Sequence, residues 1–116
     1  MKTFKIEGGH QLKGSIQPQG AKNEALQILC AVILSPEIIT IHNIPEIIDV
    51  NKLIVLLGKL GVKIKKLSKG SYSFQADEIN LDYLETEAFK ADGRGLRGSI
   101  MIVGPLLARY GRGYIP

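Results

Sequence analysis

The stretch GAKNEALQILCAVIL, residues 20–34, decides the fold of this chain. No helix-breaking residue occurs between Lys22 and Leu34, and apolar side chains fall on nearly every side of a helix drawn through them. A helix that is apolar on all sides is normally buried within a protein. Ser35-Pro36 then ends the helix, because proline cannot continue it. We therefore predict a buried helix over residues 22–34.

The segment that follows alternates between strand and helix patterns. Residues 38–44 are rich in β-branched side chains, which favour a buried strand. Apolar residues at helical spacing between Val50 and Leu60 predict a second helix. Asp49 is placed to cap the start of this helix, and Gly61 stands where a glycine commonly ends one.

Two more strands and a further helix are predicted downstream. Residues 62–66 and 72–76 have strand patterns and are joined by turn-forming residues, which is typical of a hairpin. Residues 77–90 are polar and carry no clear pattern. Helical spacing resumes over residues 96–109 and is ended by a Gly-Arg-Gly sequence.

The residues before the buried helix predict another hairpin. Residues 4–6 alternate between apolar and charged side chains, and residues 12–16 could form a second strand paired with them through a glycine-containing turn. Pro18 and Gly20 then interrupt regular structure. The predicted order is β-α-β-α-β-β over residues 16–76, followed by a further helix, so we expect an α/β (α+β) fold.

Length and composition indicate one structural unit with an ordinary surface. The chain has 116 residues, 45% of them hydrophobic, and 15 basic against 11 acidic residues give a net charge of +4. That charge is compatible with an anionic small molecule or with nucleic acid as a partner. The longest uncharged run, residues 25–36, is too short to cross a bilayer, and the N-terminus has no signal region. We therefore expect a cytoplasmic protein that does not enter the membrane.

The single cysteine, Cys30, excludes an internal disulfide and a cysteine-based metal cluster. It lies in the apolar run of the buried helix, where we expect an inert thiol that packs as a small hydrophobe. His10 and His42 have no partner at the spacing of metal ligands or of a catalytic triad. We therefore expect neither a metal nor a cofactor.

Gly20-Ala21-Lys22-Asn23 stands directly before the buried helix. Free backbone N–H groups at a helix start attract anions, and a lysine adds a full charge suited to phosphate or carboxylate. Asn23 can donate and accept hydrogen bonds, as a substrate hydroxyl or carboxylate requires. The alternative is that Asn23 only caps the helix and that Lys22 is solvated.

A second cationic cluster precedes the last predicted helix. Arg94-Gly95-Leu96-Arg97-Gly98-Ser99 places two guanidinium groups at or just before its start, and such groups bind phosphate or carboxylate in a bidentate manner. The small neighbours would let a ligand approach the backbone closely. The alternative is an exposed, flexible loop.

The lysines from Lys59 to Lys69 raise a different possibility, a nucleic-acid surface. No aromatic residue is interleaved with them before Tyr72, although surfaces that bind nucleic acid usually combine charge with stacking groups. A solvated basic face is the preferred interpretation. A small basic nucleic-acid-binding domain remains the alternative from another class of function, and we expect no nucleic acid as partner.

Several of these stretches resemble one enzyme family. GAKNEAL, residues 20–26, is similar to the GAKN-A-L signature of the UDP-N-acetylglucosamine 1-carboxyvinyltransferases. Residues 97–109, RGSI followed by GPLLAR, resemble a second motif of that family. Further likeness in residues 4–14, 43–50 and 56–62 extends the resemblance over essentially the whole chain. The sister family, the 3-phosphoshikimate 1-carboxyvinyltransferases, shares the fold but normally lacks this set of motifs.

The resemblance implies an EPSP synthase-like lobe, an inside-out α/β barrel with helices inside and sheets outside, of which this chain would supply about one and a half βαβαββ units. Residues 1–20 would be a hairpin that packs with the other lobe, and residues 21–116 a partial lobe. The implied reaction transfers the enolpyruvyl group of phosphoenolpyruvate to the 3-hydroxyl of UDP-N-acetylglucosamine, the first committed step of peptidoglycan synthesis and hence of cell-wall formation.

The resemblance also implies roles for individual residues. Lys22 and Asn23 would contact phosphoenolpyruvate and the sugar, Arg97 would help bind UDP-N-acetylglucosamine, and Asp49 is a weaker candidate for a supporting role. The family's general acid, a cysteine or an aspartate, follows a segment similar to residues 113–116, so we assign no catalytic residue in this chain. We expect these 116 residues alone to be inactive and to self-associate. We expect their partner to be the remainder of the same enzyme, which they lack.

Overall fold

A computed structural model describes residues 2–115 and has an α/β architecture in which helices and a small sheet enclose one core. The predicted α/β class is confirmed. In chain order the elements are α1 (Lys22–Ala31) with a 3₁₀ turn (Val32–Leu34), β1 (Ile38–Ile41), α2 (Ile48–Leu60), β2 (Lys63–Ser68), β3 (Ser71–Gln75), a 3₁₀ helix (Leu81–Glu85), α3 (Glu87–Arg94), a 3₁₀ helix (Arg97–Ile102) and α4 (Val103–Tyr110).

The sheet has three antiparallel strands in the order β1-β3-β2, with β3 in the centre. Phe74 of β3 pairs with Ile39 on one side and with Ile64 on the other, and its side chain is fully buried against the helices. The predicted hairpin of β2 and β3 is confirmed. It turns at Lys69-Gly70, so both strands extend further toward the turn than we predicted.

The core lies between the sheet and the helices. α1 packs against α2 and against the 3₁₀ helix Arg97–Ile102, and α4 packs against the turn that ends α1. Fully buried aliphatic side chains in this core include Leu29, Ile33, Leu53, Leu57, Ile102 and Leu106.

Burial of α1 is less complete than its sequence predicts. Leu29 and Cys30 are almost fully buried, but Ile28 is 40% exposed and Leu34 is 51% exposed. Ile28 lines a small hollow together with Ile41 at the end of β1. The helix is therefore buried along one face, and its exposed face carries Glu24 and Gln27 beside Ile28.

The predicted N-terminal hairpin is wrong for the described part of the chain. Residues 2–20 form no strand, and Phe4, Ile6, Leu12 and Ile16 are each at least 90% exposed. A two-stranded hairpin without an apolar surface to pack against is marginally stable at best. The observed order therefore starts with α1 and runs α-β-α-β-β, followed by the helical segment from Leu81 onward.

The sequence correctly predicts how α2 ends but not how it begins. Gly61 ends α2 with φ 112°, a left-handed conformation that favours glycine. Asp49 does not cap α2, because the N-cap residue is Ile47 and Asp49 lies inside the first turn.

The polar segment 77–90 that we left unassigned contains the 3₁₀ helix Leu81–Glu85 and the start of α3. α3 is capped by Thr86, whose hydroxyl accepts a hydrogen bond from the Phe89 N–H at 3.2 Å.

The segment predicted as one helix over residues 96–109 is helical throughout but changes type. It begins as the 3₁₀ helix Arg97–Ile102 and continues as α4, which ends at Gly111 in the left-handed conformation. None of the helices within residues 2–115 has both the length and the hydropathy that a bilayer crossing requires.

Candidate functional site

Three helices begin close together and form the candidate site. α1 starts at Lys22, α2 starts at Ile48, and the 3₁₀ helix that leads into α4 starts at Arg97. α1 packs against both of the other helices, so its first turn lies between theirs. The residues that sequence analysis singled out in three distant stretches therefore meet at one end of the helical layer.

A hollow of about 420 Å³ lies between these helix starts, and we call it the anion hollow because of its cationic side chains. All four candidate residues line it. The sequence alone did not require this, since the two cationic clusters could have been on opposite faces of the molecule. The complete lining is Lys22, Asn23, Leu26, Asp49, Arg97, Gly98, Ile100 and Met101.

Gly20 brings the start of α1 to this position. A Cβ atom on Gly20 would overlap the carbonyl oxygen of Asn43, so no other residue fits without moving the backbone. Asn43 itself has φ 59° in the loop after β1. The glycine of the GAKN motif is thus explained by the close approach of two backbone segments that fixes where α1 begins.

The first turn of α1 leaves its backbone N–H groups available. Its N-cap residue is Ala21, and no side chain makes a capping hydrogen bond there. Asn23 lies within the helix and is exposed, so the alternative in which Asn23 caps the helix is wrong. Uncapped N–H groups at the positive end of the helix dipole favour an anion in the adjacent hollow.

Lys22 forms an ion pair with Asp49 across the junction of α1 and α2. The distance from Lys22 Nζ to Asp49 Oδ2 is 2.6 Å, and the two side chains are 49% and 40% exposed. The hydrogen bond and the charge of Lys22 hold the pKa of Asp49 below its ordinary value of 3.8, and Lys52 adds a smaller effect. Asp49 therefore stays ionised at neutral pH and cannot serve as a general acid.

The two arginines of the second cationic cluster are separated by the fold. Arg97 is exposed and lines the anion hollow, whereas Arg94 lies in the last turn of α3 and is not part of its lining. Guanidinium groups bind phosphate and carboxylate through two parallel hydrogen bonds, so Arg97 adds a second cation suited to an anionic ligand.

Gly98 and Ser99, the small residues that follow Arg97, also take part in packing. A Cβ atom on Gly98 would lie 3.2 Å from Leu26 Cδ1, so the glycine lets α1 approach. Ser99 is buried, and its hydroxyl is 3.1 Å from the carbonyl oxygen of Gly93 and 2.7 Å from that of Leu96. These contacts fix the start of the 3₁₀ helix and hence the position of Arg97.

Residues that we expected to be structural have structural surroundings. Cys30 is buried, and this burial raises the pKa of its thiol to about 12. His42 Nδ1 is 2.9 Å from the Ser71 hydroxyl, a contact between neighbouring strand ends. The basic face carries acidic partners at short distances, in the pairs Lys59–Asp92, Lys63–Asp77 and Lys66–Glu46.

Two properties of the site were not predicted from the sequence. Leu26, Ile100 and Met101 give the anion hollow an apolar wall. The pairing of Lys22 with Asp49 was also missed, because Asp49 looked like a capping residue. Both properties depend on how the helices pack, and no local sequence signal would have revealed them.

The lining of the anion hollow supplies two cations, one carboxylate, an amide side chain and the uncapped N–H groups of a helix start. It therefore carries one net positive charge beside an apolar wall. Such a lining can hold an anionic group and orient an attached organic part against the apolar side chains. Within residues 2–115 no cluster of His, Cys, Asp and Glu could hold a metal ion.

Comparison with known proteins gives a consistent result over the whole chain. The family model for EPSP synthase (3-phosphoshikimate 1-carboxyvinyltransferase) matches residues 6–115. Proteins named UDP-N-acetylglucosamine 1-carboxyvinyltransferase are 50% identical in Bacteroides thetaiotaomicron and 51% identical in Bacteroides fragilis, each over 99% of this chain. The protein of that name from Porphyromonas gingivalis is 50% identical over 100% of it.

The chain spans 26% of the length of the two Bacteroides relatives and 27% of the Porphyromonas one. The match to the family, in contrast, covers almost every residue of this chain. The chain belongs to the EPSP synthase (3-phosphoshikimate 1-carboxyvinyltransferase) family.

Proposed function

We propose that this chain supplies part of the substrate-binding site of an enzyme that transfers the enolpyruvyl group of phosphoenolpyruvate to the 3-hydroxyl of UDP-N-acetylglucosamine, the first committed step of peptidoglycan synthesis. The names of relatives that are 50–51% identical over the chain support this reaction. The observation that carries the proposal is the anion hollow, in which Lys22, Asn23 and Arg97 line one cavity.

The chemistry of the reaction explains why such a lining is needed. Phosphoenolpyruvate carries a phosphate and a carboxylate on three carbons, and the acceptor carries a diphosphate. Addition to the enol ether develops positive charge at carbon while both anionic groups stay bound. Fixed cations and helix amides in a partly apolar site neutralise those anions without the reorganisation that water would require.

We propose a separate role for each lining residue. Lys22 and Asn23 contact phosphoenolpyruvate and the sugar, and Arg97 contacts the UDP-sugar. Lys22 is suited to phosphate because it is a compact charge at a helix start, and Arg97 because its planar group matches two oxygens at once. Asp49 supports the site through Lys22, 2.6 Å away.

The remaining parts of the predicted enzyme are also proposals. The general acid is expected from a part of the enzyme outside this chain, and the 116 residues alone are expected to be inactive. Their self-association would occur through the apolar side chains that stay exposed, among them Ile28, Leu34 and Leu107. The cytoplasmic location stays a prediction.

The test is the substitution Lys22→Ala in the full-length protein that carries this sequence. Phosphate release from phosphoenolpyruvate and UDP-N-acetylglucosamine should fall about tenfold to a hundredfold, the usual effect of removing a charge-assisted contact. The matched control is Lys65→Ala, which removes an exposed lysine from β2, away from the anion hollow. Near-normal turnover in Lys22→Ala, with the same melting temperature, would refute the assignment.

The family description favours one second candidate, 3-phosphoshikimate as the acceptor. The same full-length protein can be assayed with either acceptor, at equal phosphoenolpyruvate concentration. We expect phosphate release with UDP-N-acetylglucosamine and none above background with shikimate 3-phosphate. The reverse pattern would replace the proposed acceptor while keeping enolpyruvyl transfer.

A further inference from the structure

The ion pair of Lys22 and Asp49 separates two hollows. Both residues line the anion hollow, and both also line a second hollow of about 400 Å³ on the other side, together with Glu46, Ile47, Ile48 and Asn51. Arg97 belongs only to the first hollow and Glu46 only to the second. Lys22 thus lies between one hollow that contains a second cation and another that contains a second carboxylate. Its contact with Asp49 fixes the position of its ammonium group.

Asp49 is the fixed partner of this pair. Its carboxylate lies in the first turn of α2, where the helix dipole favours a negative charge. Lys22 has a long, flexible side chain that loses considerable rotamer freedom when it is held in one place. Asp49 therefore orients Lys22, rather than the reverse.

Resting on the proposed function, we propose that Asp49 is a positioning residue: its carboxylate holds the Lys22 ammonium at the anion hollow and competes with the incoming phosphate group for that charge. The competition lowers the affinity of the hollow for anions, while the orientation makes Lys22 effective in the reaction. Asp49 therefore weakens anion binding and raises turnover, so its removal should change the two measured quantities in opposite directions.

The groups that face the pair support this balance. Lys52 is the other charge that acts on Asp49, and its effect on the Asp49 pKa is smaller than that of Lys22. Without the Asp49 charge, Lys22 and Arg97 would face the anion hollow unopposed. Glu46, which lines the second hollow, is already paired with Lys66 at 3.2 Å.

The experiment compares three variants of the full-length protein that carries this sequence, with inorganic phosphate as the binding probe. Asp49→Asn should bind phosphate about threefold to tenfold more tightly, because one negative charge next to Lys22 is lost. Its kcat for enolpyruvyl transfer should fall about tenfold, because Lys22 is no longer oriented. Asp49→Glu keeps the charge, so its phosphate affinity should stay within about twofold of the wild type and most of kcat should return.

Glu87→Gln is the matched control, because it changes the net charge equally and also lies in the first turn of a helix, α3, but outside both hollows. It should leave phosphate affinity and kcat unchanged. Unchanged or weaker phosphate binding in Asp49→Asn, equal tightening in Glu87→Gln, or an unchanged kcat in Asp49→Asn would each overturn the inference. The phosphate measurement needs no turnover. A protein that lacks transferase activity but shows the tightening in Asp49→Asn alone would therefore contradict the proposed reaction and keep the competition for Lys22.

Discussion

The two ends of α1 have opposite environments. Lys22 and Asn23 in its first turn are exposed and line the anion hollow, whereas Leu29 and Cys30 near its last turn are at most 2% exposed. The first turn is held by an ion pair and a close backbone approach, and the last by packing against α2 and the segment from Arg97 onward. One helix therefore serves the site at its start and the fold at its end.

Stability and ligand binding can therefore be separated along one helix. Loss of a buried aliphatic side chain removes packing that no solvent contact replaces. Loss of an exposed lysine removes a partner for an anion and little packing. Substitutions at the two ends should therefore affect different measurements.

The largest expected effect on stability is that of Leu29→Ala. Leu29 is fully buried in the core, and a substitution of this kind typically costs about 2–5 kcal/mol of unfolding free energy. Ile28→Ala is the matched control. Ile28 is next to Leu29 in sequence and is 40% exposed, so its substitution should cost clearly less unfolding free energy. Urea denaturation followed by circular dichroism measures both. Equal losses for the two variants would show that the exposed face of α1 is covered in the protein as it exists.

A smaller effect is expected on the reactivity of the Cys30 thiol, which lies at the buried end of α1. Burial raises the pKa of Cys30 to about 12, so at pH 8 only about one thiol in ten thousand is ionised. We expect iodoacetamide to leave Cys30 unmodified in the folded protein and to modify it in urea. Mass spectrometry of the peptide that contains Cys30 measures the extent. Rapid modification without denaturant would contradict the burial of this end of the helix.

The parts of the fold that were predicted from sequence have strong local signals. The hairpin of β2 and β3 combines β-branched and aromatic residues with a glycine-containing turn, and Gly61 marks the end of α2. α1 itself was predicted because no breaker interrupts its apolar run. In each case neighbouring residues carry enough information to specify the local conformation.

The failures concern elements that depend on distant contacts. Residues 4–6 and 12–16 have strand patterns, but their apolar side chains have no surface to pack against within the described chain, and no strand forms. α3 was missed because its sequence is mostly polar. Its one clear signal is Thr86, a good N-cap residue placed before a helical turn.

The candidate site was predictable in its residues but not in its geometry. Resemblance to a family pointed to Lys22, Asn23 and Arg97, and the first two are neighbours in sequence. Their closeness to Arg97 and the pairing of Lys22 with Asp49 arise from the packing of three helix starts, which no local pattern encodes. Asp49, which was predicted as a helix cap and as a weaker candidate for a supporting role, is the partner of Lys22 and not the cap.

The most direct test of the anion hollow is a crystal structure of the full-length protein that carries this sequence, bound to phosphoenolpyruvate and UDP-N-acetylglucosamine. We expect Lys22 Nζ and the Arg97 guanidinium each to lie within about 3.2 Å of an oxygen of the bound ligands. Ligands bound elsewhere, with the Lys22–Asp49 pair intact and Arg97 in solvent, would contradict this expectation.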